Sequence, residues 1–130
     1  MTRGAFKGVC ILSLFCVLTL SAPGQAHAAR FSGKYLLELC DFGPDGKEKI
    51  AGGHAACQAY IAGVLDYHAF LQGMKIAPKT DICVPQSATM NQVHAVVLKY
   101  LKANTQHDGF VAAPAVTTAL YQVYACRKKK

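Results

Sequence analysis

Hydrophobic positions recur at helical spacing in four stretches of the chain, separated by polar or glycine-rich punctuation. The first stretch opens at Ser32, a residue suited to an N-cap, and runs through Tyr35-Leu36-Leu37-Glu38-Leu39 to Cys40. Asp41-Phe42-Gly43-Pro44-Asp45-Gly46 then stops it, because Gly, Pro and Asp favour turns. The second and longest helix runs from about Lys47 or Gly53 to Gly73, with Ile50, Cys57, Ile61, Val64, His68 and Leu71 as one apolar stripe. Its other side is also weakly polar, with Ala59, Ala62, Gly63 and Phe70 around Asp66. That side predicts one of two things. Either the helix is central and packs on both faces, or the small residues admit a second copy of the chain.

The third helix carries the clearest start signal. Thr89-x-x-Gln92 is a capping box, in which the hydroxyl accepts from an orphan N–H and the glutamine reaches back. Met90, Val93, Val97 and Leu101 follow on one face with Val96 and Tyr100 beside them, and Asn91, Lys99 and Lys102 are expected to face water. Asn104 to Gly109 reads as a polar loop. Pro114 suits the start of a fourth helix, which carries Val116, Leu120 and Val123 to Cys126. No stretch sustains period-two alternation, so the fold class is all-α, a small four-helix up-down bundle.

The first 28 residues do not belong to that bundle. Arg3 and Lys7 precede an apolar run from Val9 to Leu20, and Ala26-His27-Ala28 supplies the small-x-small pattern of a cleavage site. A dozen apolar residues fall short of the ~20 that span a hydrocarbon core. Residues 1–28 therefore read as a cleavable signal peptide, residues 29–126 as one exported helical domain, and residues 127–130 as a basic tail. No membrane span is expected, and the expected location is the periplasm.

Export changes the meaning of the cysteines. Six become four after cleavage: Cys40, Cys57, Cys83 and Cys126. An even count in an exported chain of this size predicts two disulfides. In an up-down bundle Cys40 and Cys57 lie at one pole, and Cys83 and Cys126 at the other. Sulfur bridges need Cα atoms within ~7 Å, so the predicted pairs are Cys40–Cys57 and Cys83–Cys126. No two cysteines have a C-x₂₋₄-C spacing, and neither a metal site nor a cofactor is expected.

Charge adds little. The chain has 14 Lys+Arg against 7 Asp+Glu, but Arg3 and Lys7 leave with the leader and four more form the tail Arg127-Lys128-Lys129-Lys130. The remaining lysines are scattered singly, without the clustered basic face that nucleic acid requires. The tail reads as a solvated end, or as a weak attraction to anionic lipid. Among the histidines, His68 falls on the apolar stripe and is expected to be a hydrogen-bonded core residue, with a pH sensor as the alternative. His94 flanks its helix's apolar face and is expected to be half-exposed, while His107-Asp108 sits in the polar loop within a partner's reach. With no nucleophile elbow, zincin pattern or P-loop, and isolated carboxylates at Asp66 and Asp81, the chain is not expected to be an enzyme.

Cys57-Gln58-Ala59-Tyr60-Ile61-Ala62-Gly63-Val64-Leu65-Asp66 resembles the C-x-G-Y-I-x-G-V-x-D block of the Rap/Tai family. Ile82-Cys83-Val84-Pro85 followed by Thr89-x-x-Gln92, Val96-Val97 and Tyr100-Leu101 is similar to its second block, and Ala119-Leu120 to Cys126 to its last helix. Leu36-Leu37-x-x-Cys40 also fits. Departures are Ala59 for the family's first glycine, Ala88 for a valine, Tyr124-Ala125-Cys126 for Phe-Pro-Cys, and a loop after the third helix that lacks the common His-Pro pair. The resemblance implies an immunity protein: a helical, disulfide-bonded, often dimeric periplasmic protein that occludes a peptidoglycan amidase delivered by type VI secretion. On that reading the partner-binding candidates are Asn104, Gln106, His107 and Asp108, and the homodimer face is Ala59, Ala62, Gly63 and Phe70. The alternative from another class is an acid-stress chaperone of the HdeA type, or another envelope binding module.

Overall fold

The computed structural model of the chain describes residues 31–77 and 80–126. The expected signal peptide, residues 1–28, and the basic tail, residues 127–130, lie outside them. Four α-helices follow in order: α1 Gly33–Cys40, α2 Gly53–Gly73, α3 Met90–Ala103 and α4 Ala112–Tyr124, with a 3-10 turn at Thr105–His107 before α4. Among the described residues no strand forms; three isolated bridge pairs tie loops together. None of these helices is long and apolar enough to cross a membrane.

Local chemistry sets the helix ends. The Ser32 hydroxyl accepts from the Tyr35 N–H at 3.1 Å. Both halves of the Thr89–Gln92 capping box are made, at 2.8 and 3.3 Å. Of the two starts expected for α2, Gly53 is the one formed. Gly52 adopts φ +75°, a left-handed conformation suited to glycine, and the Glu48 carboxylate accepts from the Gly52 and His54 N–H groups at 2.8 and 3.1 Å. A carboxylate from the preceding turn thus satisfies donors that a helix leaves orphaned. Helix α4 begins two residues before Pro114, whose missing N–H falls in the first turn, where helix donors have no partner in any case.

The core is a cluster of Leu36, Ile61, Val97, Leu101, Val116 and Leu120, with Ala112, Ala115 and Ala119 between them. Helix α4 approaches closely because alanines, not large residues, fill that side. Val123, expected in the core, is exposed; the buried stripe of α4 passes through Ala119 instead. Disulfides Cys40–Cys57 and Cys83–Cys126 staple opposite connections of the bundle, with Cα separations of 5.1 and 4.9 Å. At the second staple the backbone pairs as well, Cys83 N–H donating to the Tyr124 carbonyl and Cys126 N–H to the Asp81 carbonyl. The pairing and the helix order are those expected from the spacing.

Asp41 and His94 depart from expectation. Asp41, read as a turn former, is buried at the end of α1. Its carboxylate takes Lys49 at 2.7 Å and Lys102 at 2.5 Å. Lys102 is exposed, as expected, and its ammonium also reaches from α3 to the end of α1. His94 is buried, not half-exposed, because its Nε2 donates to the Cys40 carbonyl at 2.8 Å. A main-chain acceptor at the end of α1 draws the ring inward.

Candidate partner-binding site

The segment Asn104–Gly109 is held firmly from below. Gly33 N–H donates to the Phe110 carbonyl at 2.9 Å and Lys34 N–H to the Asp108 carbonyl at 3.1 Å. The first N–H groups of α1 would otherwise be orphans, and this turn supplies their acceptors. A Cβ on Gly33 would strike the His107 carbonyl, so only glycine permits this approach. The side chains divide between anchoring and display. Asn104 Nδ2 donates to the Tyr100 carbonyl at 2.8 Å, and His107 Nε2 meets the Tyr100 hydroxyl at 3.1 Å. Gln106 is exposed and reaches Asn104 Oδ1, while Asp108 is half-buried. Next to them stands Phe110, 69 % exposed, the most exposed large hydrophobic residue among those described. Sequence reasoning stopped the candidate segment at Gly109 and missed it; an aromatic directly after a polar loop was the available signal.

The second candidate surface follows α2 and α4, and its Tyr60 end stacks on Phe31, which lies beside Phe110. Ala59, Gly63 and Phe70 are exposed and Ala62 is half-buried, so α2 packs on one side only. A Cβ on Gly63 would meet nothing within 4 Å, and no contact among the described residues requires a glycine there. Between α2 and α4 runs an apolar groove of about 700 Å³, walled by Tyr60, Val64, Tyr67 and Leu71 against Pro114 and Thr117. The Thr117 and Thr118 hydroxyls donate to carbonyls one turn back, at 3.0 and 2.8 Å, which turns their polar atoms onto their own helix. Burial pushes the Tyr60 phenol above its usual pKa, against an opposing hydrogen bond with the Ala113 backbone. His68 lines the groove. It is buried as expected, but among the described residues its Nε2 has no hydrogen-bond partner, against the expectation of a satisfied core histidine.

The third grouping is one that sequence reasoning did not assemble. His94 lies beside the Cys40–Cys57 bridge, and the His54 ring is 4.6 Å from the His94 ring. His54 Nε2 meets the Gln58 amide at 2.9 Å, and its buried Nδ1 has no partner among the described residues. The H-x-x-C spacing from His54 to Cys57, which places both on one helix face, was the signal for it.

A family model described as Rap1a immunity proteins matches residues 32–126. No curated protein and no solved structure matches the chain.

Proposed function

The chain belongs to the Rap1a immunity proteins, and from that premise we propose that it acts in the periplasm as the antidote to a peptidoglycan amidase delivered by type VI secretion. The family match over nearly the whole described domain carries this reading. Two disulfides and an N-terminal segment patterned as a signal peptide support the compartment, since such bridges persist in oxidising environments. The action is occlusion, not catalysis: a rigid surface fills the toxin's cleft and excludes its substrate.

The contact surface we assign is the turn 104–110. Clamping by α1 means that little conformational freedom is lost on binding, and pre-organisation of this kind strengthens association. Gln106 and Phe110 project from it, and a central exposed aromatic is the residue type that dominates binding energy in protein interfaces. His107 and Asp108 flank them. The second surface, with Ala59, Ala62, Gly63 and Phe70 along the α2–α4 groove, is assigned to a homodimer. Exposed Tyr67 and Phe70 supply apolar area there, and the small residues allow close approach.

Titration of the purified protein with the amidase from its own gene neighbourhood tests the contact surface. Gln106→Ala with Phe110→Ala should weaken binding at least tenfold while thermal unfolding stays unchanged, and His107→Ala with Asp108→Ala should weaken it less. Unchanged affinity in both variants would remove the turn from the interface. For the dimer, Gly63→Leu should convert a dimer to monomer in light scattering. Gly63→Ala in a monomer should stabilise by ~0.5–1 kcal/mol, the usual gain over glycine within a helix.

A further inference from the structure

The groove of about 700 Å³ between α2 and α4 falls within the size range of small-molecule sites, which are apolar with few, well-placed polar groups. Its wall on α2 runs from Ala59 to Leu71, about 18 Å at a rise of 1.5 Å per residue. One leaflet of a membrane core, the depth of a single acyl chain, is ~15 Å. Ala59, Gly63 and Ala113 are small and leave room between the helices, and a Cβ added at Gly63 would meet nothing within 4 Å. Among the described residues, the lining holds no lysine, arginine, aspartate or glutamate. Five of its side chains carry a polar atom. The Thr117 and Thr118 hydroxyls donate to the Ala113 and Pro114 carbonyls. The Tyr60 phenol meets the Ala113 backbone, and Tyr67 is open to water. His68 is left. It is 6 % exposed, and its buried Nε2 has no partner among the described residues. A buried nitrogen in that state bears its full desolvation cost unless something bonds to it. The χ2 well of histidine is broad, so a turn of the ring presents that nitrogen to the groove it already lines.

We propose that the α2–α4 groove binds a single-chain amphiphile with an uncharged hydroxyl head, the head bonded to His68 and the aliphatic chain lying along Val64 towards Tyr60. A hydroxyl both donates and accepts, so it satisfies the imidazole nitrogen in either tautomer. A carboxylate head fits less well, because the charge near His68 is negative. Helix α2 reaches its C-terminal, negative end at Gly73, and Gln72, one turn on from His68, meets the Asp81 carboxylate at 3.4 Å. At the far end of the chain Tyr60 stacks on Phe31, with ring centroids 4.9 Å apart, and closes the apolar track. The site does not depend on the immunity reading. It shares Ala59 and Gly63 with the face given to a second copy, so an amphiphile in the groove and a second copy exclude one another.

The test uses the oxidised protein in dilute solution with N-phenyl-1-naphthylamine, an uncharged apolar dye that fluoresces when it leaves water. The dye should bind saturably at one molecule per chain. Dodecan-1-ol, kept below its solubility limit, should displace it at a concentration at least tenfold lower than dodecanoate requires. His68→Leu should raise the alcohol concentration needed at least tenfold, relative to the dye's own affinity in that variant. Gly63→Leu, whose added side chain enters open space and leaves thermal unfolding unchanged, should weaken dye binding at least tenfold. The absence of a saturable rise would leave the groove to a second copy and overturn the proposal. Displacement by dodecanoate as readily as by the alcohol, dye binding that survives Gly63→Leu, or alcohol displacement indifferent to His68→Leu would each overturn it too.

Discussion

Among the described residues, Asp41 is a carboxylate whose ionisation ties the fold to acid. Burial alone would raise its carboxyl pKa, but hydrogen bonds from Lys102 and Lys49 override that and lower it to about 2. The same contact raises the Lys49 ammonium above its usual value. An unfolded aspartate titrates at ~3.9, so between these values the unfolded chain binds the extra proton and the folded one does not. The contribution to stability is therefore complete above pH ~4 and is lost as pH falls towards the folded pKa of about 2. Asp41→Asn should cost ~1–3 kcal/mol at neutral pH, a range kept low because both lysines are partly exposed. Urea midpoints at pH 7 and pH 2 should show that deficit at the first and little of it at the second. A deficit of equal size at both would mean that the aspartate acts by shape, not charge. None of this was legible in the chain, because a turn-forming Asp after a helix looks alike whether or not a lysine 61 positions later reaches it. The same holds for His94, whose acceptor is 54 residues away. Periodicity places a residue on a face but not against a particular carbonyl.

At the level of elements, what could be read was what is local. Ser32 and the Thr89–Gln92 box complete their hydrogen bonds within a few residues, so composition and spacing suffice to find them. The start of α2 was ambiguous because its cap is a Glu48 carboxylate arriving from the turn, not the residue next to the helix. The contact between α1 and the turn at 104–110 was invisible for a different reason. It joins segments some 75 positions apart through main-chain atoms, and only the requirement for glycine at position 33 betrays it. Gly33→Ala should accordingly push the turn away from α1 and cost ~1–3 kcal/mol, as overpacking does. Gly109→Ala, where an added Cβ meets nothing, should stay within ~0.5 kcal/mol. Thermal unfolding of the two variants side by side checks this. Equal melting temperatures would mean that the turn is not clamped.

For the molecule as a whole, the two staples and the four helices make a scaffold that carries two candidate surfaces. In the loop-entropy picture the 17-residue and 43-residue bridges stabilise by ~3 and ~4 kcal/mol. These are large fractions of the stability of so small a domain. Phe110, Tyr67 and Phe70 are exposed large hydrophobics on this small scaffold, the kind of surface that marks interaction sites. The four-helix order and both pairings followed from spacing alone, because the three connections between consecutive helices allow few alternatives. The candidate surfaces did not follow so readily. An amphipathic pattern separates buried from exposed positions, but nothing in it distinguishes an exposed face that water covers from one that a protein covers. The decisive measurement is survival of cells that express the neighbouring amidase in their periplasm together with this protein. Cells carrying the full chain should survive, and cells carrying a version without residues 1–28 should lyse. Lysis in the presence of abundant, oxidised full-length protein in the periplasm would contradict the assignment to that toxin.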